Sequence, residues 1–145
     1  MKDDLLEKYA TAKTNEPEEQ DIVDLGPFGF LRGIYDRALM LELRFKDGRR
    51  FALGYAWLHQ AEFDASRGMS LSFGGRKVTI IGQNLNAEIR PNIRLFDAVL
   101  RHRVPWIQEA SAPAALRAGR AALIIEKLEV SGGQSSKGQL AVPMS

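Results

Sequence analysis

The chain has 145 residues, of which 45% are hydrophobic and 26% charged, enough for one domain with a core of its own. It contains no cysteine, which excludes disulfides, thiolate nucleophiles, iron–sulfur clusters and sulfur-ligated zinc. The net charge of +2 is unevenly placed, because the first 24 residues hold eight acids against three lysines and the remainder therefore carries +7.

Residues 1–21 read as an acidic N-terminal arm. Leu5, Leu6 and Tyr9 share one face of a short helix over 2–13, and residues 14–21 form a polar linker around Pro17. The start, Met1-Lys2-Asp3-Asp4, lacks the apolar stretch of a secretory signal, and no apolar run approaches the ~20 residues that cross a bilayer. A cytoplasmic protein with no membrane partner is the expectation. A basic body with an acidic arm fits an anionic partner, an arm that folds back, or two solvated surfaces.

Ile22 to Ile34 mixes Gly26, Pro27, Gly29 and Gly33 with Phe28, Phe30 and Leu31, as in an irregular strand or an apolar loop over a barrel mouth. Leu39, Leu41, Leu43 and Phe45 then alternate with Met40, Glu42 and Arg44. Asp47-Gly48 turns the chain, and Phe51, Leu53, Tyr55 and Trp57 alternate back over Arg50–Leu58. Gly54 in mid-strand points to a bulge or a close backbone contact. Met69, Leu71 and Phe73 form a third strand, Gly74-Gly75 turns again, and Val78–Ile81 is a fourth.

After Leu85 the period changes. Ile93, Phe96, Leu100, Val104 and Ile107 lie on one helical face, with Asn92 as N-cap and an Asp97–Arg101 pair. Pro105 predicts a kink near His102–Val104 or a second short helix. Ala112–Ala118 reads as one or two further helical turns, Leu123–Val130 as a last strand, and 131–145 as a disordered tail. The expected fold is mainly β (α+β): a small antiparallel β-barrel or curled meander of five or six strands over 22–130, with one helix packed across it.

The residues that carry chemistry are few. His59 and His102 have no second and third ligand or orienting partner in the pattern, and His102 lies between Arg101 and Arg103. Glu62 and Asp64 adjoin a turn, where local hydrogen bonding explains Asp. Gly74-Gly75-Arg76-Lys77 lacks the Gly-Lys-Ser/Thr of a P-loop and leads into a strand. No catalytic group, metal or cofactor is expected.

The basic residues are more suggestive. Arg90, Arg94, Arg101, Arg103, Arg117 and Arg120 fall in a span whose only acids are Asp97 and Glu109. With Arg49, Arg50, Arg76 and Lys77 at hairpin tips, they form a candidate anion or nucleic-acid contact. Trp106 lies beside the Ile93–Ile107 stripe and is a candidate interface for a protein partner or a second copy. Cover by Ile22–Ile34 or by Leu123–Val130 is the intramolecular alternative.

Two resemblances bear on function. Asp47-Gly48-Arg49-Arg50-Phe51-Ala52-Leu53 with Tyr55, then Val78–Leu85, then Leu100-Arg101-His102-Arg103-Val104 with Trp106-Ile107 and Glu109, resemble a pattern in short bacterial proteins without an assigned activity. That resemblance implies a compact sheet-plus-helix domain. Ile80-Ile81-Gly82-Gln83-Asn84-Leu85 is similar to the second motif of Sm-like RNA-binding barrels, with Ile81 where that motif usually has Arg. A bacterial PH-like domain resembles the element order. These readings imply a non-catalytic binding or interaction module, with a small RNA-binding barrel as the alternative.

Overall fold

The computed structural model describes residues 22–112, 119 and 121–132. The acidic arm, residues 113–118 of the Ala-rich segment, Arg117 and Arg120, and residues 133–145 lie outside these. Within the described residues the fold is mainly β, in three sheets, none closed into a barrel. β1 (Ile22–Asp24) and β2 (Gly29–Leu31) form a small hairpin. β3 (Met40–Arg44) is flanked by β4 (Arg50–Gly54) and by β8 (Trp106–Gln108) in the order β4-β3-β8, with β3 and β8 parallel. β5 (Leu58–Asp64), β6 (Gly68–Phe73), β7 (Arg76–Gln83) and β9 (Ile124–Gly132) form a fully antiparallel sheet in the order β5-β6-β7-β9.

The alternation of the β3–β4 hairpin is realised where burial is strongest. Leu41 and Leu43 are fully buried, while Glu42 on the outer face takes hydrogen bonds from Arg44 at 2.8 Å and from Arg50 across the ladder. Partial burial pushes the Glu42 carboxyl up, and the bonds from Arg50 and Arg44 outweigh it, leaving its pKa below the ordinary value. Gly48 closes the turn at φ 97, a conformation that side chains resist. Asp47 accepts the Arg49 amide at 3.0 Å in the same turn.

The expected long return strand over Arg50–Leu58 is divided. A 3₁₀ turn, Tyr55–Trp57, breaks it after Gly54 and feeds β5 into the other sheet. The turn shifts the alternation by one step. Tyr55 stays in the core, whereas Trp57, expected inside, is 68% exposed. Gly54 ends β4 instead of sitting in mid-strand, and its open side faces side chains, the Trp57 indole and the Met40 thioether, not the close backbone expected.

The sheets do not close into a ring. Around the circuit, β4 continues into β5 through the 3₁₀ turn, and β8 meets β9 through one backbone bond, Ala110 N–H to Ile125 C=O at 2.8 Å. Beyond Ile125, no described backbone pairs with β9 on that side. Among the described residues the expected barrel is corrected to three sheets, and the five or six strands to nine. The last strand is present and runs to Gly132, two residues beyond the expected domain end at 130.

The helix is shorter than its pattern. α1 spans Leu95–Leu100, with Arg94 rather than Asn92 at its N-cap. It buries Leu95, Ala98 and Val99, while Leu100 is 49% exposed. It ends in a Schellman motif: His102 N–H bonds Val99 C=O and Arg103 N–H bonds Ala98 C=O, both at 2.9 Å, with His102 at φ 57. The chain has thus left the helix before Pro105. Val104 and Ile107 are buried from extended backbone, so their helical spacing is coincidental. The Asp97–Arg101 pair does not form among the described residues. The core joins both larger sheets, through Leu41, Leu43, Leu71, Val78, Ile80 and Ile125, with the helix residues Leu95 and Val99.

Candidate functional site

The seam between β8 and β9 holds the one buried charged side chain among the described residues. Glu109 follows β8 directly and is 6% exposed. Its Oε1 accepts the Lys46 amide at 2.8 Å, and its Oε2 accepts the Leu128 amide at 2.7 Å. A carboxylate therefore does at Leu128 what a strand would otherwise do. It ties the β3–β4 hairpin to β9 across the gap.

The seam opens on both sides of Phe45. On one side is a cleft of about 410 Å³ walled by Pro27, Phe45, Gln108, Glu109, Leu123 and Ile125. On the other is a shallower groove of about 570 Å³ walled by Phe45, Arg49, Phe51, Arg76, Leu128 and Val130. The first lies in the size range of small-ligand pockets and is predominantly apolar.

Strand geometry sets what β9 offers to the second groove. In an antiparallel ladder the N–H and C=O of one residue point to the same side, and the side alternates with each residue. Leu128 N–H points away from β7, to Glu109. Val130, two residues on, has the same orientation, and no described group takes its amide or carbonyl. The groove is thus floored by open main chain.

Two guanidiniums flank it. Arg49 lies over the Phe45 ring at 4.4 Å and is held by Asp47 at 3.0 Å. Arg76 lies over Phe51 at 5.4 Å and makes no ion pair among the described residues. The one acid on the wall, Glu129, is paired with Lys127 at 3.0 Å.

The six basic residues expected to contact an anion lie on and beside two elements, β7 and α1. Arg76 and Lys77 start β7, and Arg90 and Arg94 follow its far end, roughly 23 Å away along the seven steps to Gln83. Arg94 donates to the Asn86 carbonyl at 2.8 Å. Arg103 is spent on structure: it donates to the carbonyls of Leu31, Arg32 and Gly33 at 3.0, 2.9 and 3.2 Å and covers the Phe30 ring at 4.5 Å. Burial first, then the neighbouring Arg37 and Arg101 charges, lowers its pKa. Arg90, Arg101 and Lys77 are exposed. Trp106, the interface candidate, is 7% exposed. Its cover is the intramolecular alternative from Ile22–Ile34: Gly29 of β2 abuts the indole, and the Arg44 guanidinium lies 4.3 Å from the ring centroid.

The remaining candidates have local explanations. Asp64 accepts the Ser66 amide at 2.9 Å and its hydroxyl at 2.7 Å, which is turn chemistry. His59 Nε2 lies 3.2 Å from the Gly74 carbonyl. His102 stacks on Tyr55 at 4.5 Å, and Tyr55 donates its hydroxyl to Val104 C=O at 2.7 Å. Among the described residues no group of three or more His, Cys, Asp or Glu could hold a metal, and no helix is long and apolar enough to cross a membrane. Sequence reasoning missed Glu109 and Val130 as site residues. The available signal was a single acid two residues beyond the apolar run Val104–Ile107. No family model, curated protein or solved structure matches the chain.

Proposed function

We propose that this chain is a non-catalytic binding module whose ligand lies in the seam between the β3–β4 hairpin and β9. The observation that carries the reading is the length of β9 beyond Leu128, where, among the described residues, a groove holds an arginine without an ion-pair partner and is floored by main chain without a hydrogen-bond partner. The test is ligand capture from a native lysate by the full chain and by Arg76→Glu. A defined ligand retained by the wild type and lost from the variant supports the proposal; capture unchanged by the charge reversal overturns it.

A second contact face for a protein partner or a second copy is favoured by the exposed apolar group on the 3₁₀ turn. Met40 and Trp57 are 48% and 68% exposed and meet over Gly54. Light scattering on wild type and Trp57→Ser checks it. A dimer weakened by the substitution supports the face, and a wild-type monomer at high micromolar concentration removes self-association.

A further inference from the structure

We propose that the ligand of this groove is an extended peptide that adds as a strand to the open edge of β9, with an acidic side chain between Arg49 and Arg76. This rests on the binding-module reading and names the ligand class. Three features converge on a peptide.

The first is main-chain complementarity. Leu128 C=O and both main-chain groups of Val130 face the groove, the donor and acceptor pattern of a strand edge. Glu109 takes Leu128 N–H, so its carboxylate terminates the folded part of the seam and pairing with a ligand starts at Leu128 C=O. The edges of β8 are taken by β3 and by Pro27 and Phe28, and the chain beyond it meets β9 only at Ile125, so no described backbone lies beside Leu128–Val130. Strand addition to such an edge is a general mode of peptide recognition, with affinity from main-chain bonds and selectivity from alternate side chains.

The second feature is charge. Arg76 has no described carboxylate partner, and Glu129 is neutralised by Lys127. An acidic ligand residue completes this set, and a basic one would face two guanidiniums. The third is the wall. Phe45 and Phe51 line the groove, each carrying a guanidinium, so an apolar ligand side chain next along the same face of the strand meets an aromatic ring. A nucleic acid would satisfy the guanidiniums but not the ordered donors and acceptors of β9.

The experiment pans a random twelve-residue phage-display library on the full chain. Enriched sequences are synthesised, and binding is read by fluorescence anisotropy against wild type, Arg76→Gln and Arg49→Gln, with thermal melts to verify that each variant is folded. An N-methyl scan of the best peptide then tests each ligand amide in turn. The expected result is enrichment of alternating apolar sequences carrying Asp or Glu. Dissociation constants should rise tenfold or more in Arg76→Gln, and binding should be lost on methylating alternate amides while the intervening ones tolerate it. No enriched peptide, a scan without a two-residue period, or Arg76→Gln binding as the wild type does would overturn the proposal. Failure here is separable from failure of the module reading. A non-peptidic ligand captured from lysate and lost in Arg76→Glu removes the peptide and keeps the module, whereas capture indifferent to Arg76→Glu removes both.

Discussion

Glu109 offers the sharpest test of how the two larger sheets are joined. Replacing it with Ala removes the acceptor of two amides, one of them, Leu128 N–H, buried and without an alternative partner in the described structure. A hydrogen bond to a charged group contributes about 1.5–3 kcal/mol, and a buried donor left unpaired costs about 1–3 kcal/mol. Part of this is offset because the buried charge disappears with its own desolvation cost. A net loss of about 3 kcal/mol follows, which at about 4 °C per kcal/mol lowers Tm by about 12 °C. Glu109→Gln keeps one carbonyl oxygen and turns an amide donor toward the other N–H, so it should cost about 2 kcal/mol. Urea unfolding followed by circular dichroism measures both, and hydrogen exchange at Leu128 localises the effect, because only its amide loses a side-chain acceptor within β9. An Ala variant within 0.5 kcal/mol of wild type, or unchanged protection at Leu128, would refute the seam argument.

Other outcomes follow from the same contacts. Gly29→Ala drives a methyl group into the Trp106 indole, so stability should fall by about 1–3 kcal/mol and the buried tryptophan should become quenchable by acrylamide beside the already exposed Trp57. Burial, and then the Arg37 charge, holds the His102 imidazole below its ordinary pKa. The folded state therefore binds fewer protons than the unfolded one, and stability is fully present above about 6.5 and falls as pH drops through it. Urea midpoints at pH 7.5 and 5.5 should differ in wild type and converge in His102→Gln; the depressed carboxylates Glu42, Asp47 and Asp64 act below this window. Tyr55→Phe strips the Val104 carbonyl of a buried partner and should cost about 1–2 kcal/mol in the same assay. If an oligonucleotide is the ligand instead, its affinity falls by about one log unit per log of salt for each phosphate neutralised, and gel shifts at two salt concentrations read that slope.

Sequence periodicity alone determined the β-rich class, the β3–β4 hairpin, the β6–β7 meander and the strand character of Leu123–Val130, because each rests on neighbours within a few residues. Asp47-Gly48 and Gly74-Gly75 carry their turns by the same local physics. Only the tertiary structure decided the rest. Trp57 lost its place on the core face because a 3₁₀ turn, set by how β4 must cross into the other sheet, shifted the alternation. The helical stripe of Ile93, Phe96, Leu100, Val104 and Ile107 was broken because His102 ends the helix at φ 57 and β3 recruits Trp106–Gln108 as a parallel partner. Arg103 and Arg94 donate to carbonyls far away in sequence or across a turn, contacts that composition could not show. The candidate site depends on the same kind of information. Glu109, Lys46 and Leu128 are 63 and 19 residues apart in the two bonds that join them, and the edge of β9 is open among the described residues because β8 gives its own edges to β3 and to Pro27 and Phe28. Local propensity governs which residues form strands; which strand edge stays open is a property of pairings between strands that meet only after folding.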